Sequence, residues 1–208
     1  MKLLWQHGEG EVDMEIVNFM ALGMVVSVVS FLGFVVENIW LAVTKGYIDN
    51  RGMCFPFLIG YGIAVVLIYI ILGTPDRLRF FRKSIRVQSR IIRLFLYFVG
   101  VMICVCIGEI LLGIFVEKTC HFYWWDYSWI PLHITRYTSI PTSIIFSLLI
   151  TIFMKVFFIP IYRFFQKCNF CVLCILTVLL LTLMTGDFIY NACKMYSMRG
   201  MVKRWKIP

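Results

Sequence analysis

An all-α bundle of transmembrane helices, about five spans joined by one interfacial amphipathic helix, is the architecture this amino-acid sequence calls for. Three observations carry that expectation. Of the 208 residues, 61% are hydrophobic and the mean hydropathy is +0.87, whereas soluble domains hold roughly 45–50% apolar residues. Apolar runs of the length a bilayer requires, about 20 residues, recur along the whole chain. Only short polar stretches separate them, so residues 1–208 read as a single transmembrane domain.

The first apolar run, 16–43, follows a segment carrying Glu9, Glu11, Asp13 and Glu15. That acidity does not suit a cleavage region, so the run reads as a retained span. A polar, glycine-rich stretch (44–62, TKGYIDNRGMCFPFLIGYG) leads into the second run, 55–73. The third run, 94–115, the fourth, 140–159, and the fifth, 169–190, follow, with a second polar stretch at 117–137. Gly23 with Ser27, and Gly100 with Cys104 and Gly108, fall at the spacing that lets helix backbones approach where lipid supplies no drive between helices.

The net charge of +9 is concentrated in Arg77, Arg79, Arg82, Lys83, Arg86, Arg90 and Arg93, and in the tail Lys194–Lys206. Beside spans, such clusters mark the cytoplasmic flank and an affinity for anionic lipids at Arg77–Arg93, not nucleic acid. Leu78, Phe81, Ile85 and Ile92 recur among the arginines at near-helical spacing, which predicts an amphipathic helix at the interface. With this loop inside, both polar stretches lie outside. A fifth span would then leave the basic tail outside as well, against the same rule.

The cysteines give no disulfide framework. Cys104, Cys106, Cys171, Cys174 and Cys193 lie in or beside spans, where cysteine behaves as a small hydrophobe. Cys168-x2-Cys171-x2-Cys174 offers three ligands where zinc normally takes four, so no metal site is expected. Cys54 and Cys120 share a face and are within the scope of a disulfide if that face is extracytoplasmic.

Ionisable groups at membrane depth cost about 2.5–3.5 kcal/mol each and need a reason. Glu37 lies one turn after Gly33 and beside Asn38; Glu109, Gly113 and Glu117 share one helical stripe. Asp187, near the end of its run, reads as structural. In the first polar stretch, Asp49-Asn50-Arg51-Gly52 forms a tight turn that presents a guanidinium fork. Pro56 and Gly60-Tyr61-Gly62 then interrupt the second run, and such backbone is tolerated only where it is buried in protein or lines a wet cavity. In the second stretch, aromatics surround Asp126 and Ser128; Trp and Tyr belong to the interface belt, which leaves the carboxylate to pair with Arg51 or Arg136. His133 reads as a loop residue. Phosphate-loop, G-x-S-x-G and H-E-x-x-H motifs are missing, so any ATPase is on another chain. No catalytic residue and no cofactor are indicated.

The two polar stretches also resemble a family. Asn50-Arg51, Pro56…Tyr61-Gly62, Glu109 and Trp125-Asp126-Tyr127-Ser128 stand in the order, and at the span boundaries, typical of CmpB-like ABC-transporter permeases, small bacterial integral membrane proteins. The resemblance covers 37–147. Two departures stand out: a short Pro56–Gly62 segment, and Ile134-Thr135-Arg136 where an Asn-Gly stretch is usual. It implies a multi-pass protein of the bacterial inner membrane that works with a separate ATPase subunit. The residues point to one pocket between the polar stretches for a polar small ligand, formed by Glu37, Asn38, Asn50, Arg51, Tyr61, Glu109, Glu117, Asp126, Tyr127 and Ser128. A membrane-embedded enzyme acting on a lipid, with Glu109 or Asp126 as base, and a non-catalytic sensor or assembly partner are the alternatives.

Overall fold

The computed structural model describes the backbone of residues 2–208 and side chains from Met14 onward. Helix dominates: α1 (Lys2–Lys45), α2 (Ile59–Leu72), α3 (Arg90–Cys120), α4 (Ile140–Val156), α5 (Phe158–Gln166) and α6 (Phe170–Met198). Short strands sit in the connections. β1 (Ile48–Asp49) pairs antiparallel with β7 (Lys206–Ile207); β2 (Gly73–Thr74), β3 (Arg77–Phe80) and β4 (Lys83–Ser84) form a small sheet; β5 (His133–Thr135) pairs with β6 (Thr138–Ser139).

Met14–Lys45, Arg90–Cys120 and Phe170–Met198 are each long and apolar enough to cross a membrane. Ile140–Val156 and Phe158–Gln166 make a fourth candidate if taken as one span bent by 46°. Pro160 accounts for the break: its ring lacks an N–H and crowds the carbonyl of Val156, four residues back. α2, at 14 residues, rises only about 21 Å against a hydrocarbon core of about 30 Å. The chain is therefore a multi-pass helical membrane protein, with three or four full-length spans by length and composition.

Two apolar clusters mark the ends of the bundle. Val25, Val65, Ile68, Leu72, Leu78, Tyr97, Val101, Met154 and Phe158 pack the middle and the end that carries the β2–β4 sheet. Met53, Leu58, Val116, Cys120, Met195 and Val202 close the other end. Through that second cluster and the β1–β7 pair, the tail lies at the same end as the first polar stretch.

Small residues allow the helices this approach. A Cβ on Gly23 would sit 2.5 Å from Thr177 of α6, and one on Gly100 would sit 3.1 Å from Leu72 of α2. A Cβ on Gly62 would strike the Val26 carbonyl oxygen and lie 2.6 Å from Ser30 Oγ of α1. Gly108, expected at a contact, faces open space.

The amphipathic helix expected at Arg77–Arg93 is instead the β2–β4 sheet, with α3 starting only at Arg90. Pro75 and positive φ at Gly73 (72°) and Phe81 (52°) fold the chain back on itself. Helix ends leave carbonyls unpaired, and the sheet supplies donors: Phe81 N–H donates to Ile71 O (2.7 Å), and Arg79 Nη2 to Tyr69 O (2.9 Å). Leu78 is buried while Phe81 and Ile85 are exposed, so the apparent helical spacing reflects a strand that buries one side chain. All cysteines are free among the described residues, with Cys54 exposed and Cys120 buried.

Gly62→Ala should lower the stability of the detergent-solubilised protein by about 1–3 kcal/mol through overpacking on α1. Gly60→Ala, where a Cβ meets nothing within 4 Å, should be neutral or stabilise by up to about 1 kcal/mol. Thermal unfolding of the two variants side by side reads the difference.

Candidate functional site

Arg51 has positive φ (48°) in its turn, and Gly52 follows with φ 81°. Its neighbours are locked around it. Asp49 N–H donates to Asn38 Oδ1 of α1 (2.8 Å), and Arg51 N–H donates to Asp49 Oδ1 (2.8 Å). Asn50 Nδ2 donates to Met53 O (2.9 Å) and Val202 O (3.0 Å), while its Oδ1 accepts from Arg204 N–H (3.1 Å). Asn38 and Asn50 are both buried, and their polar atoms hold backbone.

Beyond Arg51 the chain runs non-helically to Leu58, and each buried N–H needs an acceptor. Asp187 of α6 supplies it for two of them, while Met53 and Phe57 N–H turn to Asn50 O and Phe55 O within the loop. Its carboxylate accepts from Cys54 N–H (3.0 and 3.1 Å), Phe55 N–H (3.0 Å) and Asn191 Nδ2 (2.6 Å). Leu58 N–H donates to Ser30 O (3.0 Å). Arg204 Nη1 donates to Asn191 Oδ1 (2.9 Å), joining the tail to the same network.

So held, the Arg51 guanidinium lies 3.0 Å from Glu37 Oε2 and 3.9 Å from Asp49 Oδ1, with Arg51 and Glu37 side chains each 15% exposed. The Tyr61 hydroxyl donates to Glu37 Oε1. Gly33 makes this reach available: a Cβ there would sit 2.5 Å from the Tyr61 ring. The same device recurs on α3. The Tyr137 ring packs on Gly113, where a Cβ would clash with it, and its hydroxyl donates to Glu117 Oε2 one turn on. Burial and that carboxylate push the Tyr137 phenol up to about 12.

The second polar stretch contributes Tyr127. Burial raises its phenol well above the usual range, and Glu37 and Glu109 act in the same direction while Arg51 opposes them. Glu37, Arg51, Tyr61, Glu109 and Tyr127 therefore form one electrostatic neighbourhood. Glu109 lies beside the Thr138 hydroxyl. Within this group, Arg51 Nε and Glu109 Oε2 are buried and have no hydrogen-bond partner among the described residues.

Asp126 does not reach Arg51. It is exposed, and its Oδ1 accepts from Ser128 N–H (2.8 Å) and Ser128 Oγ (2.5 Å), which lowers its carboxyl below the usual range. The expected Arg51–Asp126 pairing is thus replaced by Arg51–Glu37, because the Asx turn engages Asp126 locally. Arg136 stacks on the Tyr123 ring, 4.3 Å from its centroid. Asp49, Thr138 and the Asp187–Asn191–Arg204 network were not singled out from the sequence as parts of the site. An Asp-x3-Asn pair at the end of an apolar run was the available signal for the last, since i and i+4 share a helix face.

Residues 24–192 match the model of the family described as "Putative ABC-transporter type IV" (ABC_trans_CmpB). The chain belongs to this family. The match takes in α2–α5 whole, the second half of α1 and most of α6, so it spans every residue of the Glu37–Arg51–Tyr61–Glu109–Tyr127 neighbourhood. No curated protein and no solved structure matches the chain. Membership of an ABC-transporter family gives the chain a transport setting but no substrate.

Glu37→Gln leaves the Arg51 cation with only the more distant Asp49 carboxylate. It should cost about 3 kcal/mol, the lower end for breaking a buried pair. Asp126→Asn, in an exposed turn, should stay within about 0.5 kcal/mol. Thermal unfolding in detergent discriminates the two; equal losses would contradict the assigned pairing.

Proposed function

We propose that this chain is the ligand-binding membrane component of a transport system, a single transmembrane domain over residues 1–208 that crosses five times. The shared location of 48–49 and 206–207 supports five crossings, since α2 must then traverse, its short length extended by the non-helical Met53–Leu58 approach. The dense Arg77–Arg93 charge supports a cytoplasmic β2–β4 sheet and an extracytoplasmic site in a bacterial inner membrane, with the basic tail, tied down by Asn50 and Asn191, on the outer side against the rule.

The observation that carries the ligand reading is the complementary pair of unmet polar atoms, Arg51 Nε as donor and Glu109 Oε2 as acceptor. An unmade hydrogen bond on a buried group costs about 1–3 kcal/mol, more for a charge. A polar molecule with an acceptor for Arg51 and a donor for Glu109, long enough to pass Glu37 between them, would relieve both. In this reading Glu37, Tyr61 and Tyr127 fix the two charged groups, Asn38 and Asn50 hold the loop, and Glu117, Asp126 and Ser128 line the approach. The ATPase is a separate subunit. Anionic lipid engages the opposite end, where Arg77, Arg86 and Arg93 line a cleft of ≈ 340 Å³ and Phe80 and Phe81 stand exposed.

Glu109→Gln keeps shape and removes charge. Comparing metabolites inside and outside cells that express the wild type or this variant should reveal a polar metabolite whose distribution shifts only with the wild type, and only in energised cells. An altered lipid in place of a redistributed metabolite would overturn transport in favour of an enzyme. Ser84→Cys should resist membrane-impermeant thiol reagents in intact cells; ready labelling would invert the topology.

A further inference from the structure

Below Glu109, the face that α4 turns into the bundle carries Ser143, Ser147 and Thr151, at i, i+4 and i+8. All three are buried, at 0%, 0% and 5% exposure, as is Thr138 just before the helix. At the upper end the hydroxyls are joined. Thr138 Oγ1 and Ser143 Oγ lie 2.9 Å apart, and Cys106 Sγ of α3 donates to Ser143 Oγ at 3.2 Å.

Lower down the pattern changes. Ser147 Oγ and Thr151 Oγ1 have no hydrogen-bond partner among the described residues. A hydroxyl inside a helix ordinarily satisfies itself on the carbonyl one turn back. Ser27 and Ser30 of α1 do so, donating to Gly23 O (3.1 Å) and Val26 O (2.7 Å). Ser147 and Thr151 do not, so their hydroxyls address the bundle interior rather than their own helix. Water satisfies such groups where several polar partners converge, typically about three per molecule.

We propose that the α3–α4 seam holds a file of water molecules that runs from Glu109 past Ser143 and Ser147 to Thr151 and gives the Glu109 carboxyl proton exchange with it. Glu109 Oε2, itself unpartnered, is the head of the file. The groups that bear on this carboxyl are Thr138, Glu37 and Tyr127. Met154 and Phe158, one and two turns beyond Thr151 and both fully buried at 1% and 0%, close the far end. The file is therefore closed at that end, and its head is Glu109, beside Thr138 of the second polar stretch's return. It shares Glu109 Oε2 with the ligand reading, one lone pair of that oxygen facing the file and the other the Arg51 side, and its test reads Ser147 and Thr151, which no ligand at Arg51 would touch.

Water-edited solid-state NMR on the isotope-labelled full chain in phosphatidylethanolamine–phosphatidylglycerol vesicles tests it without any substitution. Magnetisation from water should reach the Cβ carbons of Ser147 and Thr151 several-fold faster than those of Ser27 and Ser30, which are equally buried but self-bonded. Transfer as slow at Ser147 and Thr151 as at Ser27 and Ser30 would overturn the proposal. Fast transfer at Ser147 with slow transfer at Thr151 would overturn it too, because the file would then stop short of its closed end.

Discussion

One carboxylate organises the end of the molecule where the candidate site lies. The chain between Arg51 and α2 is non-helical, and backbone of that kind is tolerated at membrane depth only if its polar groups are met from within the protein. Asp187 meets the N–H groups of Cys54 and Phe55, and Asn191 orients it from the next turn of α6. The Asp49–Arg51 turn is held over α1 by Asn38, and from there Arg51 reaches Glu37. The tail adds to the same restraint, since Arg204 and Val202 bond Asn50 through their backbone.

On this frame, charges are placed by glycine. Gly33 and Gly113 each lie one turn before a glutamate, and each receives a tyrosine ring whose hydroxyl bonds that glutamate. Two carboxylates on different helices are thus held by one design. Glu109, two turns before Glu117 on the α3 stripe, has no such tyrosine, and one of its oxygens is unmet. Both oxygens of Glu37 are engaged, by Arg51 and Tyr61, whereas one buried oxygen of Glu109 has no partner among the described residues.

Much of this was legible in the sequence, and the reasons differ by residue. Long apolar runs fixed the helices because bilayer thickness sets their length. The Gly33–Glu37 and Gly113–Glu117 spacings foretold room beside the carboxylates because i and i+4 share a helix face. Arg51 was visible as a guanidinium in a tight turn with Glu37 and Asp126 both open to it, but the choice between them was not, since pairing depends on which carboxylate is free. Asp126 is bound by Ser128 two residues on, and local bonds of this type compete with distant ones. The β2–β4 sheet was missed because Leu78, Phe81 and Ile85 mimic helical spacing, while Gly73 and Pro75 decide the backbone. Asp187 was read as structural, yet its role in holding the first polar stretch required knowing that α6 packs on α1.

The central claim is that Glu37, Arg51 and Glu109 belong to one ligand-binding neighbourhood with an unmet donor and an unmet acceptor. Native mass spectrometry of the gently solubilised wild type beside Arg51→Ala and Glu109→Gln tests it most directly. The account predicts a small polar molecule that stays with the wild type and is lost from both variants, each still folded. A bound molecule that persists in either folded variant, or a wild type that carries none from freshly energised cells, would contradict it.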